Sequence, residues 1–213
     1  MIQDFYTLSS GQKDPKNLVV ILHGYGSNNK NLLFMAQYWK TKLEDTLFII
    51  PNAPTPLPHS DGYQWFEIGD LSAPYLQKGA QEMGPILKKF IKGVQSSYKI
   101  SWEKTIIVGF SQGGMLALST GLLFKNLCRG ALSYSGGLFL PLSQVNTPPN
   151  QIDICLIHGE KDTVVPCAAS EETHDQLKEK EYTVFLHLRP QIEHQIDETG
   201  LSQGLSFIKS VIQ

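Results

Sequence analysis

The sequence is poor in cysteine and has no excess of charge of either sign. Its three cysteines, Cys128, Cys155 and Cys167, form no Cys-x-x-Cys pair. So few cysteines in a chain of 213 residues argue against a disulfide framework, and unpaired cysteines usually pack as small apolar residues. Eighteen basic and 20 acidic residues leave a formal net charge of −2, which gives no basic field for nucleic acid or anionic lipid. We therefore expect no nucleic-acid partner.

Long apolar runs and metal-binding motifs are also missing. The first residues, MIQDFYTLSS, have no basic start and include Asp4, which does not fit a secretory signal peptide. No apolar stretch approaches the length of a membrane span. We expect a cytoplasmic protein without stable membrane insertion, built as a single domain over residues 1–213. Without a His-Glu-x-x-His motif or paired cysteines, we expect neither a metal nor another cofactor.

Short β-rich runs alternate with stretches of helical periodicity along the chain. The predicted strands are residues 18–24, 46–51, 105–110, 130–136, 152–159 and 182–188. The predicted helices are residues 29–39, 80–94, 112–123, 168–179 and 198–212. Most of the strands are nearly continuous apolar runs, as in sheets covered on both faces. The pattern predicts an α/β fold with a mostly parallel central sheet between helices.

Three further features modify this pattern. Residues 5–9 could add an edge strand. Residues 51–74 are rich in proline and aromatic residues and predict a long, functional loop, and residues 141–150 predict a second loop marked by proline. Gly84-Pro85 interrupts a helical stretch, so either a kink or the start of a new helix is expected there.

The stretch GFSQG places a serine in a tight turn after a strand. Gly109, Ser111 and Gly113 match the pattern G-x-S-x-G, with a β-rich run before it and a helical run after it. In that context the small residues let strand and helix approach closely, and the serine side chain is raised above the sheet. We predict that Ser111 is a nucleophile and that the next amide N–H, of Gln112, helps to stabilise an oxyanion.

A serine nucleophile needs a base and a carboxylate that orients it, each after a later strand. Asp162 follows the predicted strand 152–159 and is a better orienter than the longer Glu160. His194 lies after the last predicted strand, and Asp197 nearby is a candidate N-cap for the last helix. The remaining five histidines fit structural, helical or loop positions better: His23, His59, His158, His174 and His187. A second oxyanion donor is expected after the first core strand, and the backbone N–H of Tyr25 is the candidate.

Six motifs, in chain order, resemble those of one known family. They are LHGYGS, PNAPTPLP, WFEIG, GFSQGG, HGEKDTVVP and EHQIDETGL. The chain resembles the phospholipase/carboxylesterase family of small α/β-hydrolases, which includes carboxylesterases and acyl-protein thioesterases. The resemblance covers nearly the whole chain, and it implies an α/β-hydrolase fold without a large cap domain.

The resemblance also implies roles for individual residues. Ser111, Asp162 and His194 would form the catalytic triad, with the amides of Tyr25 and Gln112 as the oxyanion hole. Substrates would be short- to medium-chain esters, with thioesters and lysophospholipids as further options. The candidate substrate-binding residues are Trp65, Phe66 and Val165.

The chain departs from the family at two places. Tyr25 stands where an apolar residue is common, and we expect it to narrow the acyl pocket. Residues 190–193 replace a glycine-rich run, which puts Glu193, an additional negative charge, beside the predicted base.

Together these observations predict two-step acyl transfer to water through an acyl-serine. Two other functions stay open at this point, an acyltransferase with the same triad and a non-catalytic binding protein of the same fold. The expected partner is a small ester or acylated substrate. The aromatic segment 63–75 would line a groove, cover the core or form a homodimer contact, and we favour the groove.

Overall fold

The computed structural model describes residues 2–11, 14–69, 72–145 and 152–212. A seven-stranded sheet with the order β1-β3-β2-β6-β7-β8-β9 runs through the centre of the fold. Its strands are β1 Phe5–Ser9, β2 Asn17–Leu22, β3 Thr46–Pro51, β6 Thr105–Phe110, β7 Gly130–Tyr134, β8 Asp153–Gly159 and β9 Val184–Arg189. Only the pair of β1 with β3 is antiparallel, and the other neighbours are parallel. The predicted mostly parallel α/β fold is confirmed, and so is the edge strand β1.

Helices cover both faces of this sheet because each core strand is apolar on both sides. The helices are α1 Leu33–Lys40, α2 Ala73–Tyr98, α3 Gln112–Leu123, α4 Ala168–Glu179 and α5 Glu198–Ile212. Along β2, Leu18, Val20 and Leu22 belong to the apolar cluster that includes residues of α2, α3 and α4. Val19 and Ile21 belong to the cluster on the other face, which includes residues of α1 and α5. All six residues of β2 are buried, which explains why its sequence does not alternate between polar and apolar residues.

The helix before β6 is longer than the predicted helix over residues 80–94. α2 begins at Ala73, has a proline in its first turn and continues past Pro85 to Tyr98 without a break. A new helix starting at Pro85 is therefore the wrong alternative. Pro85 lies on the exposed side of α2, where water can hydrate the carbonyl group that loses its helical donor.

The long loop before α2 contains a small ribbon. Within it, β4 Thr55–Pro56 pairs antiparallel with β5 Tyr63–Gln64, and Ser27 forms an isolated bridge with Tyr63. The second predicted loop contains a 3-10 turn, Leu142–Gln144, and its residues 146–150 lie outside the described residues. In the described ranges, no helix combines the length and apolar character needed to cross a bilayer.

Trp39 connects the two helices on one face of the sheet. Its side chain is fully buried, and its indole N–H donates to the carbonyl of Leu201 in α5 at 3.0 Å. We expect Trp39→Ala to lower the free energy of unfolding by about 3–5 kcal/mol, because it leaves a large cavity. Urea unfolding measures this loss. Phe34→Ala is the matched control, since Phe34 lies on the same helix but is 41% exposed, and a loss as large as that of Trp39→Ala would contradict the assignment.

Candidate active site

Ser111 lies in a strained turn between β6 and α3. Its backbone has φ 53° and ψ −118°, a positive φ that is uncommon for a residue with a side chain. The Ser111 N–H donates to Tyr134 O at 2.8 Å, which anchors the turn to the neighbouring strand. A side chain on Gly113 would collide with the carbonyl oxygens of Leu22 and His23, so only glycine fits there. The turn has the geometry that raises a nucleophile above the sheet.

Asp162 lies in the loop after β8, and its side chain is fully buried. One carboxylate oxygen, Oδ1, accepts from the backbone N–H groups of Val164 and Val165 at 2.9 and 2.8 Å. Burial alone would raise the pKa of the carboxyl group, but hydrogen bonds from His194, Val165 and Val164 outweigh it and keep the pKa below its ordinary value. Asp162 is therefore a buried carboxylate at neutral pH.

His194 is hydrogen-bonded to that carboxylate. Its Nδ1 lies 2.7 Å from Asp162 Oδ2, and because a carboxylate only accepts, the ring nitrogen donates. The ring is 4.8 Å from that of Phe110, the residue before Ser111, and the side chain is 19% exposed. Among the described residues, the hydrogen bonds of His194 do not include one to Ser111 Oγ. Ser111, the predicted nucleophile, and His194, the predicted base, therefore lie in neighbouring segments without a direct hydrogen bond in this conformation.

The loop that carries His194 is closed at its base by an ion pair. Arg189, the last residue of β9, contacts Asp197 with 2.8 Å between Nη2 and Oδ2. Asp197 also accepts from the Gly200 N–H at 2.9 Å and so caps α5, as predicted. Glu193 is exposed, so water screens its charge beside the base.

The two candidate oxyanion donors come from the start of α3 and from the loop after β2. Gln112 is the first residue of α3, so its N–H has no acceptor within the helix and lies at the positive end of the helix dipole. The loop after β2 touches the turn, because a side chain on Gly24 would lie 3.3 Å from Ser111 Cβ. No hydrogen bond found across the described ranges uses the N–H of Tyr25. Its side chain is 45% exposed.

The side chain of Gln112 has a role that the sequence analysis missed. It is buried, its Oε1 accepts from the Trp65 N–H at 3.0 Å, and its Nε2 donates to Phe66 O at 2.8 Å. This pair of bonds attaches the aromatic segment to the nucleophile turn. The sequence signal for this role is the amide side chain itself, which stands directly before the two final glycines of the GFSQGG motif.

Trp65 packs against the core side of the loop after β2. It is 1% exposed, its indole N–H donates to His23 O at 2.8 Å, and its ring is 5.3 Å from that of His23. His23 donates from Nδ1 to Gly24 O and accepts at Nε2 from the Ala53 N–H. Burial lowers the pKa of His23, in keeping with this neutral and structural role.

The three candidate substrate-binding residues are all buried. Trp65, Phe66 and Val165 are 1%, 9% and 7% exposed. Trp65 and Phe66 pack in the core, where Gln112 holds their backbone, and their role in substrate binding stays a prediction. Phe66 also borders a cavity of about 380 Å³ together with Trp65 and Tyr75.

The described part of the chain offers no cluster of metal ligands. There, no three His, Cys, Asp or Glu side chains come together as a metal site would need.

One histidine that the sequence analysis assigned to a structural position, His158, contacts Asp162, with 3.2 Å between Nε2 and Oδ2. Its position four residues before Asp162 is the signal that could have indicated this contact.

We expect Gln112→Met to lower the free energy of unfolding by about 2–4 kcal/mol, because two buried backbone groups lose their partners. Chemical denaturation measures the loss. Gln81→Met replaces a glutamine whose side-chain hydrogen bond lies at the surface, and it should change stability by less than about 0.5 kcal/mol. Equal losses in the two variants would contradict the structural role of Gln112.

The Arg189 hydrogen bond holds the pKa of Asp197 below its ordinary value of 3.8. A carboxyl whose folded pKa is depressed stabilises the fold above its unfolded pKa, and this contribution is lost as the pH falls through the folded pKa. We expect the stability difference between wild type and Asp197→Asn to shrink below a pH of about 3.8. Urea unfolding from about pH 7 to about pH 2.5 tests this. Arg189→Met should show the same convergence, and a difference that stays constant with pH would contradict it.

The chain is similar to known proteins over nearly its whole length. Residues 4–212 match the family described as Phospholipase/Carboxylesterase. Acyl-protein thioesterase 1 of Debaryomyces hansenii is 26% identical, over 94% of this chain and 94% of that protein. Esterase YpfH of Escherichia coli is 22% identical, over 100% of this chain and 90% of that protein.

Solved structures show the same fold. The crystal structure of esterase PE8 has a TM-score of 0.89 and 31% identity, and the match covers 97% of both chains. The carboxylesterase from Mesorhizobium loti, at 18% identity, has a TM-score of 0.80 over 96% of this chain and 93% of that one, which supports the fold alone. On the family match and this common architecture, the chain belongs to the phospholipase/carboxylesterase family of α/β-hydrolases.

Proposed function

We propose that Ser111, His194 and Asp162 act together as the catalytic triad of this chain. The protein is a serine hydrolase of the carboxylesterase type, and it acts on esters or thioesters. The observation that carries the triad assignment is the 2.7 Å hydrogen bond from His194 Nδ1 to the buried Asp162 carboxylate. That bond leaves Nε2 of His194 as the nitrogen with a free lone pair, which is what a general base needs.

The reaction takes place in two steps through an acyl-serine. Nε2 of His194 removes the Ser111 hydroxyl proton while Oγ bonds to the carbonyl carbon, whose π electrons move onto the oxygen. The oxyanion collapses, the bond to the leaving alcohol or thiol breaks, and protonated His194 returns the proton to that leaving group. Water then attacks the acyl-serine with the same proton transfers, releasing the carboxylic acid and restoring Ser111.

Asp162 and two backbone amides stabilise the charges that develop. The Asp162 carboxylate remains ionised, keeps the Nδ1 proton in place and stabilises the imidazolium. We assign the oxyanion hole to the N–H groups of Tyr25 and Gln112. Gln112 directly follows Ser111, Tyr25 follows Gly24, which touches the Ser111 turn, and within the described ranges neither N–H group has a hydrogen-bond acceptor. Loss of one such donor typically costs about 100- to 1000-fold in rate.

Substrate selection is assigned to the aromatic segment and the loop that carries Asp162. The expected substrates are small esters or acylated molecules. The side chain of His194 is partly exposed, so water can reach the acyl-serine for the second step. Trp65, Phe66 and Val165 are buried, so they would shape the substrate site from the core instead of contacting the substrate with exposed side chains. The exposed side chain of Tyr25 would meet the leaving group or the mouth of the acyl site.

The first experiment measures turnover of p-nitrophenyl esters from acetate to octanoate, with wild type beside Ser111→Ala. We expect the variant to lose at least about 1000-fold in kcat, because it lacks the nucleophile. Ser96→Ala, a serine substitution on the exposed side of α2, should keep wild-type activity. Folding of each variant is checked by circular dichroism.

A fluorophosphonate probe identifies the nucleophile independently of turnover. Wild type should be labelled at Ser111, and Ser111→Ala should remain unlabelled. Label on another serine, or an active Ser111→Ala variant, would overturn the triad assignment. An inert and unlabelled wild type would instead indicate a binding protein that has kept the fold.

A further inference from the structure

His158 is a second histidine on the carboxylate of Asp162. It lies near the carboxyl end of β8, and 1% of its surface is exposed. Its Nδ1 is 2.7 Å from Ser170 Oγ, while its Nε2 is 2.8 Å from Val165 O and 3.2 Å from Asp162 Oδ2. Both ring nitrogens are therefore engaged inside the protein, and one of them faces the triad.

The partners of Nε2 determine where the ring proton lies. A backbone carbonyl and a carboxylate can only accept hydrogen bonds, so Nε2 of His158 carries a proton. It donates this proton to Val165 O at 2.8 Å and also faces Asp162 Oδ2 at 3.2 Å. Burial lowers the pKa of His158, although the Val165 carbonyl and the Asp162 charge act in the opposite direction. Nδ1 lies 2.7 Å from Ser170 Oγ, whose single hydroxyl proton is donated to Gly136 O at 2.7 Å, so Ser170 contacts the ring while it is itself anchored to the backbone. The ring is held from both sides.

These contacts complete the shell around the Asp162 carboxylate. Oδ1 is bound by two backbone N–H groups, and Oδ2 lies between Nδ1 of His194 at 2.7 Å and Nε2 of His158 at 3.2 Å. Since the Asp162 side chain is fully buried, the carboxylate cannot rotate without losing a hydrogen bond that water would not replace. His158 thus faces the same carboxylate oxygen that accepts from His194.

We propose that His158 is a positioning residue of the active site. Its Nε2–H fixes the Asp162 carboxylate toward His194, and Ser170 fixes the His158 ring. This inference rests on the proposed function, because the orientation of Asp162 matters for turnover only where His194 is the base.

The test compares substitutions that keep or remove the donor at the position of Nε2. In His158→Gln the amide nitrogen is as many bonds from Cα as Nε2 is, whereas in His158→Asn it reaches only as far as Nδ1. His158→Phe keeps a ring and removes both nitrogens. We expect kcat for a p-nitrophenyl ester to fall about 10- to 100-fold in the Phe and Asn variants, with KM within about twofold, and to recover at least in part in the Gln variant.

His187 provides the matched control. It lies in the neighbouring strand β9, beside Ile157 in the register, and its side chain is partly buried. His187→Gln and His187→Phe should leave kcat within about twofold of wild type. Thermal unfolding of every variant gives the folded fraction by which each rate is normalised. Should His158→Phe fail to fold, the comparison of Gln with Asn retains the test, since both variants are polar.

Each outcome has a distinct meaning. A kcat that is higher in the Gln variant than in the Phe and Asn variants supports positioning. Equal loss in all three His158 variants, or wild-type kcat in the folded Phe or Asn variant, would leave His158 a purely structural residue and overturn the inference while the triad stands. An inert, unlabelled wild type would overturn the proposed function and this inference with it.

Discussion

The close approach of three backbone segments at the nucleophile turn constrains the rest of this structure. The end of β2, the end of β6 and the start of α3 meet where Gly109 and Gly113 leave no room for side chains. Where they meet, Ser111 has a positive φ, and the loop after β2 lies against the turn. The first N–H of α3 is at the same place and, as the first of a helix, has no acceptor within it. The strain is offset by the surrounding sheet, whose strands are buried on both faces.

A second constraint is the burial of one carboxylate. Asp162 has no exposed side-chain surface, and an ion in such a place is stable only when its oxygens are hydrogen-bonded. Two backbone amides from the loop of Asp162 and His194 from the loop after β9 supply those bonds, and His158 of β8 faces the same carboxylate at 3.2 Å. The same bonds that solvate the charge also orient it, so stability and the geometry of the base have one physical cause.

The aromatic segment before α2 shows how a buried side chain can serve a site without touching a substrate. Gln112 holds the backbone of Trp65 and Phe66, and Trp65 in turn holds the carbonyl of His23. The loop with Tyr25 is thereby fixed from the core side. This arrangement explains why aromatic residues that the sequence assigned to a groove are packed under the active site.

The sequence alone was sufficient for the order of the elements, the mostly parallel sheet and the tight turn at Ser111, because continuous apolar strands and a glycine-flanked serine are local signals. It also pointed to Asp162 and His194, since the carboxyl ends of parallel strands share one edge of the sheet. The continuation of α2 through Pro85, the burial of Trp65 and Phe66 and the contact of His158 with Asp162 were decided only by the tertiary structure. Each depends on which surface a residue contacts after folding. Contacts between distant segments produce no periodic pattern of apolar residues in the sequence, so the sequence does not reveal them.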